Sequence, residues 1–566
     1  MNLTAVPGVK VLRTYERAWL SKDVVAGLVL TALLVPQGMA YAELAGLPPI
    51  TGLYTSILCL AAYALMGPSK ILVLGPDSSL GPMIAATILP IVGAGGDPAK
   101  AVALASMLAL LVGAIMVLAG TVKLGFIADL LSKPTQIGYM NGLALTILVG
   151  QLPKLFGFSV DADGFIPELR GFVRGVANGE TVAAALAVGV GALVLILVLQ
   201  RAMPKIPAVL VAVVLSILAV NLFDLTANGV SVVGPLPSGF PPFTIPDVSF
   251  SDILLLVGGA FGIVFVALAD TISTASAFAA RSGDRVHGNQ EMIGIGAANV
   301  AAGFFQGFPV STSGSRTAVA EQAGAKTQVA GLIGAGAIVL LLVAVPGLLK
   351  NLPNPALAAV VIAASLSLAD VPAVVRLWKQ RRTEAWLSIA AFLAVTLFGV
   401  LPGIAVAVIL SILNVFRRAW WPYQAILGDA PDLPGFHDLV GHPDAVTTPG
   451  LILFRFDAPL IFANARTFRE QVTKLAEGPD VRWIVIASEP ITDVDTTAAD
   501  MLQELDAWLN ARGVSLVFAE MKDPVRAKIN RYELTRTIDP AHFYPTIQAA
   551  VDAFEALDAG RPGEPS

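Results

Sequence analysis

Five hydroxyl residues, Ser311, Thr312, Ser313, Ser315 and Thr317, crowd around a single arginine, Arg316, in the stretch FPVSTSGSRTAV (308–319). Hydroxyls supply hydrogen-bond donors and a guanidinium supplies a fixed positive charge, which is the chemistry that receives an anion. A second stretch, GPDSSLGP (75–82), brings Asp77, Ser78 and Ser79 together after Pro76. A third, VFVALADTISTASAFAAR (264–281), sets Asp270 in an apolar run with Thr271, Ser273 and Thr274 beside it. A carboxylate in such a run is a proton carrier or a Na⁺ ligand completed by hydroxyls, with Thr274 on its helix face at i+4 and Ser311 as a further oxygen donor. It also suits a structural pairing with Arg316. Asp77 stands at a helix start, where it serves capping as well as it serves binding.

The elements that position these residues belong in a bilayer. The chain has 566 residues, 55% of them hydrophobic and 14% charged, with mean hydropathy +0.75. That excludes a soluble protein of this length and implies many membrane spans. Through Gly428 there are 24 Lys and Arg against 19 Asp and Glu; from Asp429 onward there are 12 against 22. A slightly basic membrane body is thus followed by an acidic tail of soluble composition. Cys59 is the only cysteine, so no intramolecular disulfide forms. Residues 1–22 carry Lys10, Arg13, Arg17 and Lys22 without an apolar core, and read as a cytoplasmic lead-in, not a cleaved signal. The four histidines, His287, His437, His442 and His542, lie outside the spans, and no nucleophile or metal-ligand spacing occurs. An enzyme, a nucleic-acid binder and a metal or organic cofactor are not expected.

Apolar segments mark spans near 23–43, 49–66, 76–93, 101–120, 124–152, 181–200 and 207–223, then near 252–279, 290–306, 310–323, 327–349, 355–371, 384–398 and 400–418. The third and tenth are weak by hydropathy, being the GPDSS and hydroxyl-rich stretches. Charge asymmetry argues for both. With the two termini inside, the inner segments hold 18 Lys and Arg, including Lys70, Lys123, Lys133, Arg201, Lys205, Arg281, Arg285 and Lys326. The outer segments hold only Lys100, Lys154, Arg170, Arg174 and Lys350. Removing the weak spans inverts the loops between them and destroys this positive-inside bias. Seven spans followed by seven make an inverted repeat. Polar, interrupted segments at matching positions of the two halves then point to a transporter binding site, where half-helix N-termini meet. The expected anion ligands are Asp77, Ser78, Ser79, Ser311, Thr312, Ser313, Ser315 and Arg316.

The end of the first span, VPQGMAYAELAGLPPITGLYTS (35–56), resembles the signature of the SulP sulfate permease family, called solute carrier family 26 in animals. The likeness continues through LGPDSS, GYMNGLAL (138–145), SGSRTAVAEQAGAKTQ (313–328) and the tail, and so covers essentially the whole chain. It implies a polytopic α-helical protein of about 14 spans as a 7+7 inverted repeat, with core and gate domains as in uracil permeases, and a homodimer. It also implies that Gln37 and Tyr41 line the anion site, and that Ser315 and Arg316 match a Ser-Arg pair of some members. Asp270 falls where many members carry Glu. It is also where the similar cyanobacterial bicarbonate transporter uses Asp, with a hydroxyl matching Thr274, to hold Na⁺. The tenth segment departs from that transporter, which has no arginine there.

The tail alternates strands and helices: LILFRFDAPLIFANA (451–465), RTFREQVTKLAEG (466–478), WIVIAS (483–488), TTAADMLQELDAWLNARGV (496–514) and SLVFAEM (515–521). It resembles the cytoplasmic α/β STAS domain, with Thr496 at the position of a phosphorylatable serine; the plainer role for Thr496 is a helix cap. The expected organisation is an N-terminal segment 1–22, repeats 23–223 and 252–418 joined by an extracytoplasmic connector 224–251, a linker 419–440, a STAS domain 441–558 and a disordered tail 559–566. The expected function is secondary active transport of an oxyanion, sulfate first, across a bacterial inner membrane, coupled to H⁺ or Na⁺. Bicarbonate or dicarboxylate symport, uncoupled exchange, and anion sensing through a STAS-binding partner are the alternatives. Membrane lipid is the surrounding partner.

Overall fold

In the computed structural model of the chain, the described residues are 7–8, 11, 14–93, 96–125, 132–162, 164–203, 206–283, 286–431 and 433–559. Lys10, Arg13, Lys205 and Arg285, much of the lead-in and nearly all of the 559–566 tail lie outside them. The chain divides into two compact units, Met1–Ile412 and Leu413–Ser566.

The first unit is helical. Its first half runs α1 (Leu20–Leu44), α2 (Pro49–Met66), a two-residue strand β1 (Leu74–Gly75), α3 (Gly81–Val92), α4 (Pro98–Thr121), α5 (Lys133–Phe156), α6 (Phe165–Ala177), α7 (Ala183–Ala202) and α8 (Ala208–Leu222). The second half follows a similar order: α9 (Phe250–Ser282), α10 (Gly288–Phe304), β2 (Ser311–Thr312), α11 (Gly314–Gln322), α12 (Val329–Ala344), α13 (Asn354–Leu368), α14 (Val371–Gln380), α15 (Arg382–Phe398) and α16 (Val400–Trp420). A helix thus lies at each expected span. Among the described residues seven are long and apolar enough to cross a membrane, and Gly81–Val92, Ala208–Leu222 and Val329–Ala344 are shorter apolar helices. The helices α6 and α14 fall where the sequence reading has loops. Their one-sided apolar faces are broken by Arg170, Arg174, Arg376 and Lys379, which lowers mean hydropathy without breaking the 3.6-residue period.

Two local features shape the centre. The close passage of α1 over α2 requires glycines: a β-carbon on Gly52 would lie 1.9 Å from the Gly38 carbonyl oxygen. The short helices α3 and α11, at twelve and nine residues, rise only about 18 and 14 Å, so neither crosses a bilayer core. Each is preceded by an extended segment, and the two segments pair antiparallel with Leu74 opposite Thr312 and Gly75 opposite Ser311. The Ser313 N–H donates to the Val73 carbonyl at 3.1 Å, and the Val73 N–H donates to Thr317 Oγ1 at 3.1 Å. Extended backbone away from water needs such partners, and each strand supplies the other's.

The second unit holds a six-stranded sheet in the order β4 (Phe436–Asp438), β3 (Gln424–Asp429), β5 (Leu451–Phe456), β6 (Trp483–Ala487), β7 (Ser515–Ala519), β8 (Phe543–Tyr544). The last four run parallel and β3 is antiparallel to both its neighbours. Alternation along β5 and β6 sends Phe454, Phe456, Ile484 and Ile486 to a core with α17 (Ala465–Ala476), α18 (Thr496–Asn510) and α19 (Asp523–Arg531). Leu451, Leu453, Trp483 and Val485 face α20 (Ile547–Ala559) on the other side. The expected βαβα order is present. Residues 419–440, read as a linker, contain β3 and β4; their strand signal is weak because β4 is three residues long and only half-buried.

Candidate anion-binding site

The strand pair β1–β2 carries the starts of α3 and α11 to one wall of a cavity of about 1140 Å³. From α1 it is lined by Gln37 and Tyr41, and from the turn before α3 by Asp77 and Ser78. Gln136 of α5, Asp270, Ser273 and Thr274 of α9, and Thr312 to Arg316 add to the polar lining, with Gln200, Gln322 and Ser367 further along it. Eight of the ten expected anion ligands therefore face one space. The other two do not. Ser311 is fully buried in β2 outside this lining, and Ser79 is buried behind it. Successive strand residues point to opposite faces, so placing Thr312 on the cavity turns Ser311 away.

Arg316 is 1% exposed, and none of its three guanidinium nitrogens has a hydrogen-bond partner. It occupies the first turn of α11, where Ser313 caps the helix and accepts from the Arg316 N–H. Its ion-pair partner is Asp77, with Nη2 3.6 Å from Oδ2, beyond ordinary hydrogen-bond length. Asp77 is held instead by its own turn: Oδ1 accepts from the Ser79 N–H at 2.9 Å and from Ser79 Oγ at 2.8 Å. Gly75 makes room for the arginine, since a β-carbon there would lie 2.8 Å from Nη1.

Asp270 is bound elsewhere. Ser79 Oγ lies 3.2 Å from its Oδ2, and Gln136 Nε2 donates to its Oδ1 at 3.4 Å. The carboxylate facing Arg316 is thus Asp77, and Asp270 stands one hydroxyl further back. Thr274 shares the cavity with Asp270, whereas Ser311 does not, so the three suggested Na⁺ donors do not line one space. No group of three or more His, Cys, Asp or Glu suited to a metal occurs among the described residues.

Several residues that hold the site escaped sequence reasoning. Gln136 opens the GYMNG helix but has no charge to mark it. Asn299 is fully buried: its Oδ1 accepts from the Val310 N–H at 2.9 Å and its Nδ2 donates to the Val310 carbonyl at 3.3 Å, fixing the entry to β2. Asp23, also buried, accepts from the Lys326 and Thr327 N–H groups and from Thr327 Oγ1, tying the loop between α11 and α12 to the start of α1. In the second unit, the cap of α18 is Asp495, whose carboxylate accepts from the Ala498 N–H at 2.8 Å; Thr496 follows as the first helical residue, exposed.

Interrupted helices meeting at a buried guanidinium, within an apolar helical body followed by a separate α/β unit, define an integral membrane protein of the anion-transporter class. The family model for the sulfate permease family matches residues 20–391, and that for the STAS domain matches residues 442–550. The chain belongs to the sulfate permease family, whose members are transporters and not enzymes. It is 42% identical over 550 residues to "Probable sulfate transporter Rv1739c" of Mycobacterium tuberculosis, covering 97% of this chain and 98% of that protein. It is 29% identical to "Sulfate transporter 1.3" of Arabidopsis thaliana, over 96% of this chain and 86% of that one. The fold matches the murine Slc26a9 anion transporter in the inward-facing state with TM-score 0.88 at 25% identity, over 97% of this chain and 94% of that chain. The transmembrane domain of a cyanobacterial bicarbonate transporter, BicA, matches with TM-score 0.60 at 19% identity, over 70% of this chain and 98% of that one.

Proposed function

We propose that this protein is a secondary active transporter of sulfate, moving it by alternating access together with a proton carried on Asp270. The observation that carries the anion assignment is Arg316, a buried guanidinium with no hydrogen bond to any side-chain nitrogen, facing a polar cavity at the start of a short helix. A tetrahedral dianion supplies the acceptors these N–H groups lack, and the positive end of α11 adds to the attraction. Sulfate is favoured by the names of the relatives.

The charge balance of the cavity supports proton coupling. Asp77 already offsets Arg316, and Asp270 lines the same cavity behind it, so an entering dianion meets an acid that no base offsets. Neutralising Asp270 with a proton removes that repulsion, and an anion and a proton then favour each other's binding by equal amounts. Ser79 Oγ has one hydrogen, and its nearer acceptor is the Asp77 oxygen 2.8 Å away. A proton on Asp270 Oδ2 then donates to Ser79 Oγ across 3.2 Å, a bond that Na⁺ cannot make. Fourteen spans in two inverted repeats, cytoplasmic termini, an inner-membrane location, a homodimer and a STAS-binding partner complete this proposal.

The test is uptake of radiolabelled sulfate into proteoliposomes with and without an inward proton gradient, against bicarbonate and fumarate as competitors. Acid outside stimulates sulfate uptake, and Asp270→Asn abolishes the stimulation while sulfate binding persists. Uptake by that variant that still responds to the gradient would remove Asp270 from the proton path.

A further inference from the structure

We propose that Asp77 is a built-in substitute for the substrate: the counter-ion that neutralises Arg316 when the site is empty and so allows the unloaded transporter to change face. This rests on the sulfate-transport reading above and assigns Asp77 a role opposite to that of an anion ligand.

The geometry singles out Asp77. Arg316 is buried and hydrogen-bonded to nothing through its guanidinium, so some negative charge must offset it. Five titratable groups surround the spot: Asp77 from the turn before α3, Asp270 from α9, Tyr41 from α1, Cys59 from α2 and Tyr139 from α5. Only Asp77 forms an ion pair with Arg316, and Asp270 is engaged by Ser79 and Gln136. The pairing has a peculiar form. Ser79 holds one Asp77 oxygen through two hydrogen bonds, and the other oxygen faces Arg316 from 3.6 Å. The carboxylate is therefore fixed at a stand-off. It cancels charge without occupying the guanidinium N–H groups, which stay free for an oxyanion.

Two consequences follow for a transport cycle. With sulfate bound, Asp77 is a like charge beside it, which weakens binding and speeds release. With the site empty, Asp77 leaves no bare cation for the moving core to carry through a low-dielectric passage. Without Asp77, the transporter crosses readily only when an anion sits on Arg316. It then exchanges sulfate for sulfate but performs little net transport.

The experiment compares two modes of the full chain in proteoliposomes with radiolabelled sulfate: net uptake into sulfate-free vesicles, and counterflow into sulfate-loaded ones. In Asp77→Asn the ratio of net uptake to counterflow falls about tenfold or more, because the empty return step is lost. The sulfate concentration that half-saturates counterflow decreases by roughly two- to tenfold, because a competing charge is gone. Asp77→Glu keeps the charge and restores the ratio to within about threefold of the original. Net uptake and counterflow falling in equal proportion in Asp77→Asn, weaker sulfate affinity in that variant, or failure of Asp77→Glu to restore the ratio would each overturn the counter-ion role. An original protein with net uptake that ignores acid loses the proton-coupling proposal alone, and the Asp77 comparison still decides. An original protein showing counterflow without net uptake overturns both.

Discussion

The guanidinium of Arg316 fills the space that a side chain on Gly75 would take, with Nη1 2.8 Å from the position of a β-carbon there. Gly75 lies in β1 and pairs with Ser311 in β2, so the strand that positions the arginine's own helix is also the strand that must give way to it. Gly75→Ala puts a methyl where Nη1 sits, so the guanidinium must shift along the cavity that it lines. Sulfate affinity, read by titration calorimetry in detergent, is expected to weaken by roughly tenfold or more as Arg316 is displaced.

Removing the charge itself has a larger effect. Arg316→Ala deletes charge-assisted hydrogen bonds worth about 1.5–3 kcal/mol each and leaves Asp77 facing the cavity unbalanced. Sulfate binding weakens at least about tenfold in the same calorimetric assay. Arg316→Lys recovers only part of it, since an ammonium lacks the planar fork that meets two oxygens at once. Unchanged affinity in Arg316→Ala would make the arginine structural.

Asn299 tests the scaffold apart from the site. Its amide satisfies both backbone groups of the fully buried Val310. Asn299→Ala strands them at a cost of about 1–3 kcal/mol, and the thermal midpoint of the purified protein falls. Because Val310 leads into β2, sulfate affinity falls with it, although Asn299 is not among the residues lining the cavity. A variant that melts like the original would show that β2 needs no such clamp.

Asp506 gives the second unit a pH dependence. It lies buried in α18, with Asn510 Nδ2 donating to it at 3.0 Å, and burial pushes its carboxyl from 3.8 up to about 6. The folded state then holds a proton that the unfolded chain releases, so stability declines as pH rises between these two values and levels off above them. Asp506→Asn cannot ionise. It raises the melting transition of the α/β unit at pH 8 and loses that advantage near pH 4, as seen by calorimetry of the intact protein at the two pH values.

Sequence and tertiary structure contributed different parts of this picture. The breaks at GPDSS and FPVSTSGSR, the apolar helices around them and the strand alternation of 451–521 were legible because composition and period are local properties. The STAS-like unit and the collection of hydroxyls near one arginine follow from the same reading. The sequence could not say which hydroxyl faces the anion space, because Ser311 and Thr312 differ in direction only by the pleat of a strand whose partner lies in the other half of the chain. Nor could it rank Asp77 against Asp270 as the counter-ion of Arg316. Both are acids in apolar surroundings, and only the meeting of β1 with β2 sets one 3.6 Å from the guanidinium and ties the other to Ser79 and Gln136. Residue type decides which charges a protein must satisfy; long-range strand pairing decided here which group satisfies them.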